Sequence, residues 1–131
     1  MITVVAAVIE AESLILICQR RRDDKFPLRW EFPGGKVESG EMPQRALARE
    51  LAEELGVHAE IGREVYRTRH RYPELADDIE LIFYSAELGA EPSNMAFERM
   101  VWTPREELGN FDFLPADHEF IQLLMRGELR W

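Results

Sequence analysis

The sequence predicts one domain of mixed α and β structure, α/β or α+β in class, and three stretches carry that prediction. Residues 2–9, ITVVAAVI, are β-branched and almost wholly apolar, the pattern of a strand covered on both faces. Residues 43–55 set Ala46, Leu47, Leu51 and Leu55 at helical spacing, and Gly56 follows as a C-cap. Residues 59–71 and 79–88 read as two long strands joined by the polar loop YPELADD. A chain of 131 residues has room for a single core, so residues 1–131 are taken as one domain.

The remaining elements follow in order. Glu10 to Glu12 reads as a turn, and residues 13–19, SLILICQ, as a second strand and hairpin partner of the first. The segment RRRDDKFPLR is polar and irregular, and it concentrates Arg20, Arg21, Arg22, Lys25 and Arg29. It reads either as a solvated loop or as a set of phosphate contacts, which the guanidinium fork suits. Trp30 to Phe32 is a short extended piece ending at Pro33. Phe32 is either a core aromatic or a ring that stacks on a nucleobase. Gly34-Gly35 permits a turn with φ > 0 that brings a carbonyl toward the helix. Residues 89–96 form a loop and 97–102 a short strand, after which Pro104 opens a short helix. A Phe-rich loop, 110–115, leads to a final helix over 116–126 with Phe120, Leu123 and Leu124 on one face.

Composition narrows the function. The net charge of −9 argues against nucleic acid or an anionic membrane surface as partner. Cys18 stands alone, so no intrachain disulfide forms and a reducing, cytoplasmic setting fits. The N-terminus has no basic n-region and reads as a strand rather than a signal peptide. Glu50, Glu53 and Glu54 fall at i, i+3 and i+4, on one helical face. Like charges so placed cost roughly 0.2–0.5 kcal/mol per exposed pair. A plain solvated face would carry that cost. The preceding PGGKVESGE favours another reading, in which free backbone groups and carboxylates converge on a cation. Oxygen donors of this kind suit Mg²⁺, with Mn²⁺ as a substitute.

From Gly35 the chain runs through Glu41, Arg49-Glu50-Leu51, Glu53-Glu54 and Gly56-Val57. These residues match the Nudix box, G-x5-E-x7-R-E-U-x-E-E-x-G-U with U bulky and apolar, at every specified position. The chain therefore resembles a Nudix hydrolase, and WEFPGGKVE is similar to the MutT-like branch. The resemblance implies the Nudix α/β/α sandwich, with a mixed β-sheet between helices. It implies metal ligation by Glu50, Glu53 and Glu54 with the carbonyl of Gly35, and a structural role for Arg49 in orienting a box carboxylate. Glu41 would be supportive. It also implies Mg-dependent cleavage of a nucleoside triphosphate to monophosphate plus pyrophosphate, with divalent cations offsetting the charge of an acidic protein and an anionic substrate. Arg20 stands where relatives keep an arginine near the nucleotide, and Phe32 where they stack the base. Relatives often carry a further glutamate before the strand that holds Trp102. Ala96 occupies that register here, which leaves Glu98 as the candidate for the role, or else an exposed charge. Asp117 is either an N-cap carboxylate or, in the MutT-like context Pro-Ala-Asn/Asp, the reader of the base. As an ionised acceptor it would suit 8-oxo-dGTP or a cytidine triphosphate, and the resemblance favours 8-oxo-dGTP.

Two other functions fit less of the sequence. A hydrolase of ADP-ribose or a nucleotide sugar is expected to carry an N-terminal extension for a dimerisation sheet, which this chain lacks. A non-catalytic nucleotide sensor is expected to lose box carboxylates, and here the box is intact. A monomer or weak homodimer acting on a small nucleotide is the expected form.

Overall fold

The computed structural model describes all 131 residues. β1 (Ile2–Val8) lies at the centre of a mixed sheet in the order β5-β1-β7-β6. The partners are β5 (Gly34–Lys36), β7 (Ile79–Leu88) and β6 (Ala59–His70). β1 runs antiparallel to β5 and parallel to β7, while β7 and β6 are antiparallel. A smaller antiparallel sheet forms around β3 (Leu14–Gln19), which pairs with β2 (Glu10–Ala11), β4 (Trp30–Glu31) and β8 (Arg99–Thr103).

The apolar run of β1 is divided between two cores, as alternation of side chains requires. Val5 and Ala7 pack with Leu47, Leu51 and Leu55 of α1 (Pro43–Leu55). Ala6 and Val8 pack with Phe120, Ile121 and Leu124 of α2 (His118–Met125). The helices thus cover opposite faces of the main sheet, which is the expected sandwich. α1 starts at Pro43, whose missing N–H costs nothing at a helix start, and ends at Gly56, which adopts φ +67 and returns its N–H to Ala52 O. The loop that follows β7 covers the last carbonyls, with Ser93 N–H on Leu55 O and Met95 N–H on Glu54 O.

Several boundaries differ from expectation. Glu10 and Ala11 are strand, and the hairpin turn falls at Glu12-Ser13, both with positive φ (52 and 66). β1 itself is not the main hairpin partner of β3. The chain changes sheets at Ile9, whose carbonyl accepts Leu16 N–H, and β1 spends its hydrogen bonds on β5 and β7. The final helix is an α-helix only from His118, preceded by a 3-10 turn over Pro115–Asp117.

Gly34-Gly35 is also not a turn. Both residues belong to β5 and pair with Ala6 and Val5. Their use lies in having no β-carbon. One added at Gly34 would overlap the Val5 carbonyl, and one at Gly35 would overlap the carboxyl group of Glu50. β5 therefore brings the backbone directly beneath α1. Gly34→Ala is expected to destabilise the fold by about 3 kcal/mol or more, read from the urea midpoint. Gly40→Ala should cost about 1–2 kcal/mol, because Gly40 has φ +79 but faces open space. Equal losses at the two positions would refute the close-approach argument.

Candidate active site

α1 places its three box carboxylates differently. Glu50 and Glu54, one turn apart, face β5, whereas Glu53 has a side chain 59% exposed. Arg49 organises the group. It donates from Nε and Nη2 to the two oxygens of Glu41 (2.9 and 3.0 Å), and from Nη1 to Glu50 at 3.1 Å and Glu53 at 3.5 Å. Nη2 also donates to Lys36 O at 3.2 Å, tying the helix to β5. The Arg49 guanidinium, with the Glu38 N–H, lowers the Glu41 carboxyl to about 2. Glu54 accepts the Gly34 N–H at 3.0 Å. Burial, then the charges of Glu31 and Glu50, push Glu54 up to about 9, so it carries a proton at neutral pH. Glu50 is also raised, by burial against the opposing pull of Arg49.

A cavity of about 480 Å³ joins this group to the far side of the sheet. Gly34, Gly35, Glu50 and Glu54 border it, together with Arg20, Lys25, Phe26, Glu31, Phe32, Tyr72 and Asp117. Glu31 forms the link. It lies on β4, is raised mainly by burial, and its charge acts on both Glu54 and Asp117. The sequence marked Glu31 only as part of an extended piece. Its signal was its place in WEF, where alternation turns it away from the buried Trp30 and Phe32.

The other expected residues divide into two groups. Arg20 borders the cavity but is engaged, with Nη1 on Glu31 at 2.9 Å and Nε on Lys25 O at 2.7 Å. Arg21 and Arg22 hold the loop after β7, through Ala96 O at 3.0 Å and Glu98 at 3.2 Å. Phe32 is only 4% exposed and packs against Phe83, Phe113 and Phe120, so it is a core ring with one edge on the cavity. Glu98 is not among the cavity residues. Its segment contributes Ala96 and Phe97 instead, while the Glu98 carboxylate pairs with Arg22.

Metal-binding chemistry is present but not preassembled. No group of three or more His, Cys, Asp or Glu side chains is arranged to hold an ion. Arg49 engages one oxygen each of Glu50 and Glu53, and Gly34 N–H one oxygen of Glu54, which leaves each carboxyl its second oxygen. The donors still fit a hard divalent ion, because crowded, part-buried carboxyls are what such a charge relieves.

Asp117 does not act as the N-cap carboxylate. Its side chain caps nothing, it is 4% exposed, and its Oδ2 is buried without a hydrogen-bond partner. Burial, with the Glu31 charge second, raises it well above the usual 3.8, which favours the neutral acid over the ionised acceptor. Below about pH 3.8 folded and unfolded chains both keep this proton. Above it the unfolded chain loses the proton and the folded chain retains it, so this group lowers stability as pH rises. Asp117→Asn, which cannot ionise, is expected to gain stability over wild type as pH rises above about 4 in parallel urea melts. A constant difference would refute the assignment.

The NUDIX domain profile matches residues 1–124. The 8-oxo-dGTP diphosphatase of Haemophilus influenzae is 36% identical over 127 residues, covering 95% of this chain and 91% of the relative. The CTP pyrophosphohydrolase of Escherichia coli is 35% identical over 126 residues, covering 95% and 92%. Among solved structures, the Escherichia coli ORF135 protein superposes with a TM-score of 0.84 at 34% identity, over 96% of this chain and 89% of that one. A MutT protein from Methanosarcina mazei shares the fold with the same TM-score. With the box intact on α1, and with relatives of this identity along nearly the whole chain, the protein belongs to the Nudix hydrolases and to their MutT-like branch.

Proposed function

We propose that the protein hydrolyses a nucleoside triphosphate to the monophosphate and pyrophosphate in a reaction that requires Mg²⁺ or Mn²⁺, with 8-oxo-dGTP or a related damaged nucleotide as substrate. The observation that carries this reading is the continuity of one cavity from the box carboxylates to the unpartnered Asp117. A polyphosphate at Glu50, Glu54 and Gly35 would leave its base within the apolar part of the cavity. The names of the Haemophilus influenzae and Escherichia coli relatives support the same class of substrate.

Each residue then has a task. Gly35, Glu50, Glu53 and Glu54 would hold the divalent ion. When bound, that ion offsets phosphate charge and lowers the pKa of an attacking water. Arg49 keeps Glu50 and Glu53 oriented through its fork to Glu41. Arg20 and Lys25 offer positive charge along the cavity, Arg20 by exchanging Glu31 for a phosphate. Asp117, as a neutral acid, offers one donor and one acceptor, and on ionising it accepts twice. The first form pairs with N3 and N4 of cytosine, and the second with N1–H and N2 of a guanine. The burial that favours the neutral form of Asp117 is the observation in favour of a second reading, a CTP or dCTP pyrophosphohydrolase.

Two measurements test the proposal. Chromatography of products from 8-oxo-dGTP, dGTP, dCTP, CTP and ADP-ribose, with Mg²⁺ and with EDTA, should show metal-dependent monophosphate and pyrophosphate from one triphosphate. Glu53→Gln should lower kcat by about 10²-fold or more. Turnover of ADP-ribose alone, or a fully active Glu53→Gln, would overturn the assignment. Separately, Mg²⁺ titration near pH 7 in buffers of different ionisation enthalpy should release about one proton, because Glu54 must ionise to bind. Glu54→Gln should abolish that release. Binding without proton release in the wild type would remove Glu54 from the ligand set.

A further inference from the structure

Tyr72 follows β6 and begins the loop that leads to β7, far in sequence from the box and from Asp117. It is 5% exposed, although it lies in a loop. Its ring lies against His70 at 4.4 Å and Phe26 at 4.9 Å between centroids, and the Arg20 guanidinium stands over Phe26 at 6.0 Å. Its hydroxyl accepts the backbone N–H of Ala116 at 3.1 Å, in a buried position. Burial, against the opposing pull of the Ala116 hydrogen bond, pushes the hydroxyl up to about 12, so it keeps its proton.

The Ala116 N–H belongs to the turn that starts α2. Helix starts leave N–H groups unpaired, and a side chain of the turn itself is the usual acceptor. No such side chain acts here. Leu114, at the cap position of this turn, has no acceptor to offer. The Tyr72 hydroxyl supplies it from across the cavity. That hydrogen bond fixes the backbone one residue before Asp117, which borders the same cavity and whose Oδ2 is buried without a partner.

We propose that Tyr72 is a positioning residue for base selection: by accepting the Ala116 N–H it holds the Pro115–Asp117 turn, and with it the Asp117 carboxyl, in place beside the cavity. The inference rests on the nucleotide reading above. It also assigns the 71–78 loop a part in specificity, through a hydroxyl and not through contact with phosphate.

Tyr72→Phe keeps the ring and its packing and removes only the oxygen. In steady-state kinetics it is expected to raise KM for the best triphosphate about tenfold, the scale of one lost hydrogen bond, with kcat within about twofold of wild type. The ratio of kcat/KM between the best and the next triphosphate should shrink by a similar factor. In an Asp117→Asn background the same change should have no further effect on that ratio, because Tyr72 acts through Asp117. Unchanged discrimination in Tyr72→Phe, a loss confined to kcat, or effects that simply multiply with Asp117→Asn would overturn this inference alone. Absence of turnover on every triphosphate by the wild type would overturn the nucleotide reading, and this one with it.

Discussion

Burial of carboxyl groups along one cleft is the constraint that shapes this molecule. Glu50, Glu54, Glu31 and Asp117 are all raised, and in each case burial is the largest cause. Only two arginines stand against them, Arg49 at the box and Arg20 beside Glu31. In a chain of net charge −9 that balance is costly to the folded state. The protein meets part of the cost by holding a proton on Glu54, part by the raised affinity of Asp117 for its proton, and part by hydrogen bonds such as Gly34 N–H to Glu54. The rest is a standing demand for positive charge, which a divalent ion bound with a polyphosphate would satisfy.

The scaffold is arranged to impose that burial. Gly34 lets β5 close on the backbone of β1, and Gly35, without a β-carbon, leaves the seat that Glu50 of α1 fills. Arg49 then fastens the helix to Glu41 and to Lys36 O. Arg21 and Arg22 fasten the segment before β8 in a similar way, through Ala96 O and Glu98. The basic segment after β3 is thus largely a set of struts. Cys18, buried near Glu31 and Glu54, belongs to this packing, and burial holds its thiol well above the usual range.

Much of the fold was legible because its causes are local. The helix at 43–55 follows from Pro43, the spacing of its four buried residues and Gly56. The long strands at 59–70 and 79–88 follow from their alternation. Gly34-Gly35 is strand where a turn was expected, yet the expected positive φ is present at Gly34 (+158); glycine's freedom and glycine's smallness look alike in sequence, and here both are in use. Asp117 was read as an ionised group because its type was visible and its environment was not. Glu31 passed without notice for the same reason. A glutamate between Trp30 and Phe32 shows no sign of the partners that Arg20, Glu54 and Asp117 provide.

The sequence by itself determined the family, the box helix and the carboxylates available for a cation, since spacing along one helix fixes which side chains share a face. The tertiary structure alone decided which of those carboxylates are buried, which proton each one keeps, and that Arg49 now occupies two of them. It also decided that Asp117 borders the cavity, with Tyr72 holding the turn just before it. Such properties depend on the distance between groups far apart in the chain and on the water excluded between them, and no local pattern of residues encodes either quantity.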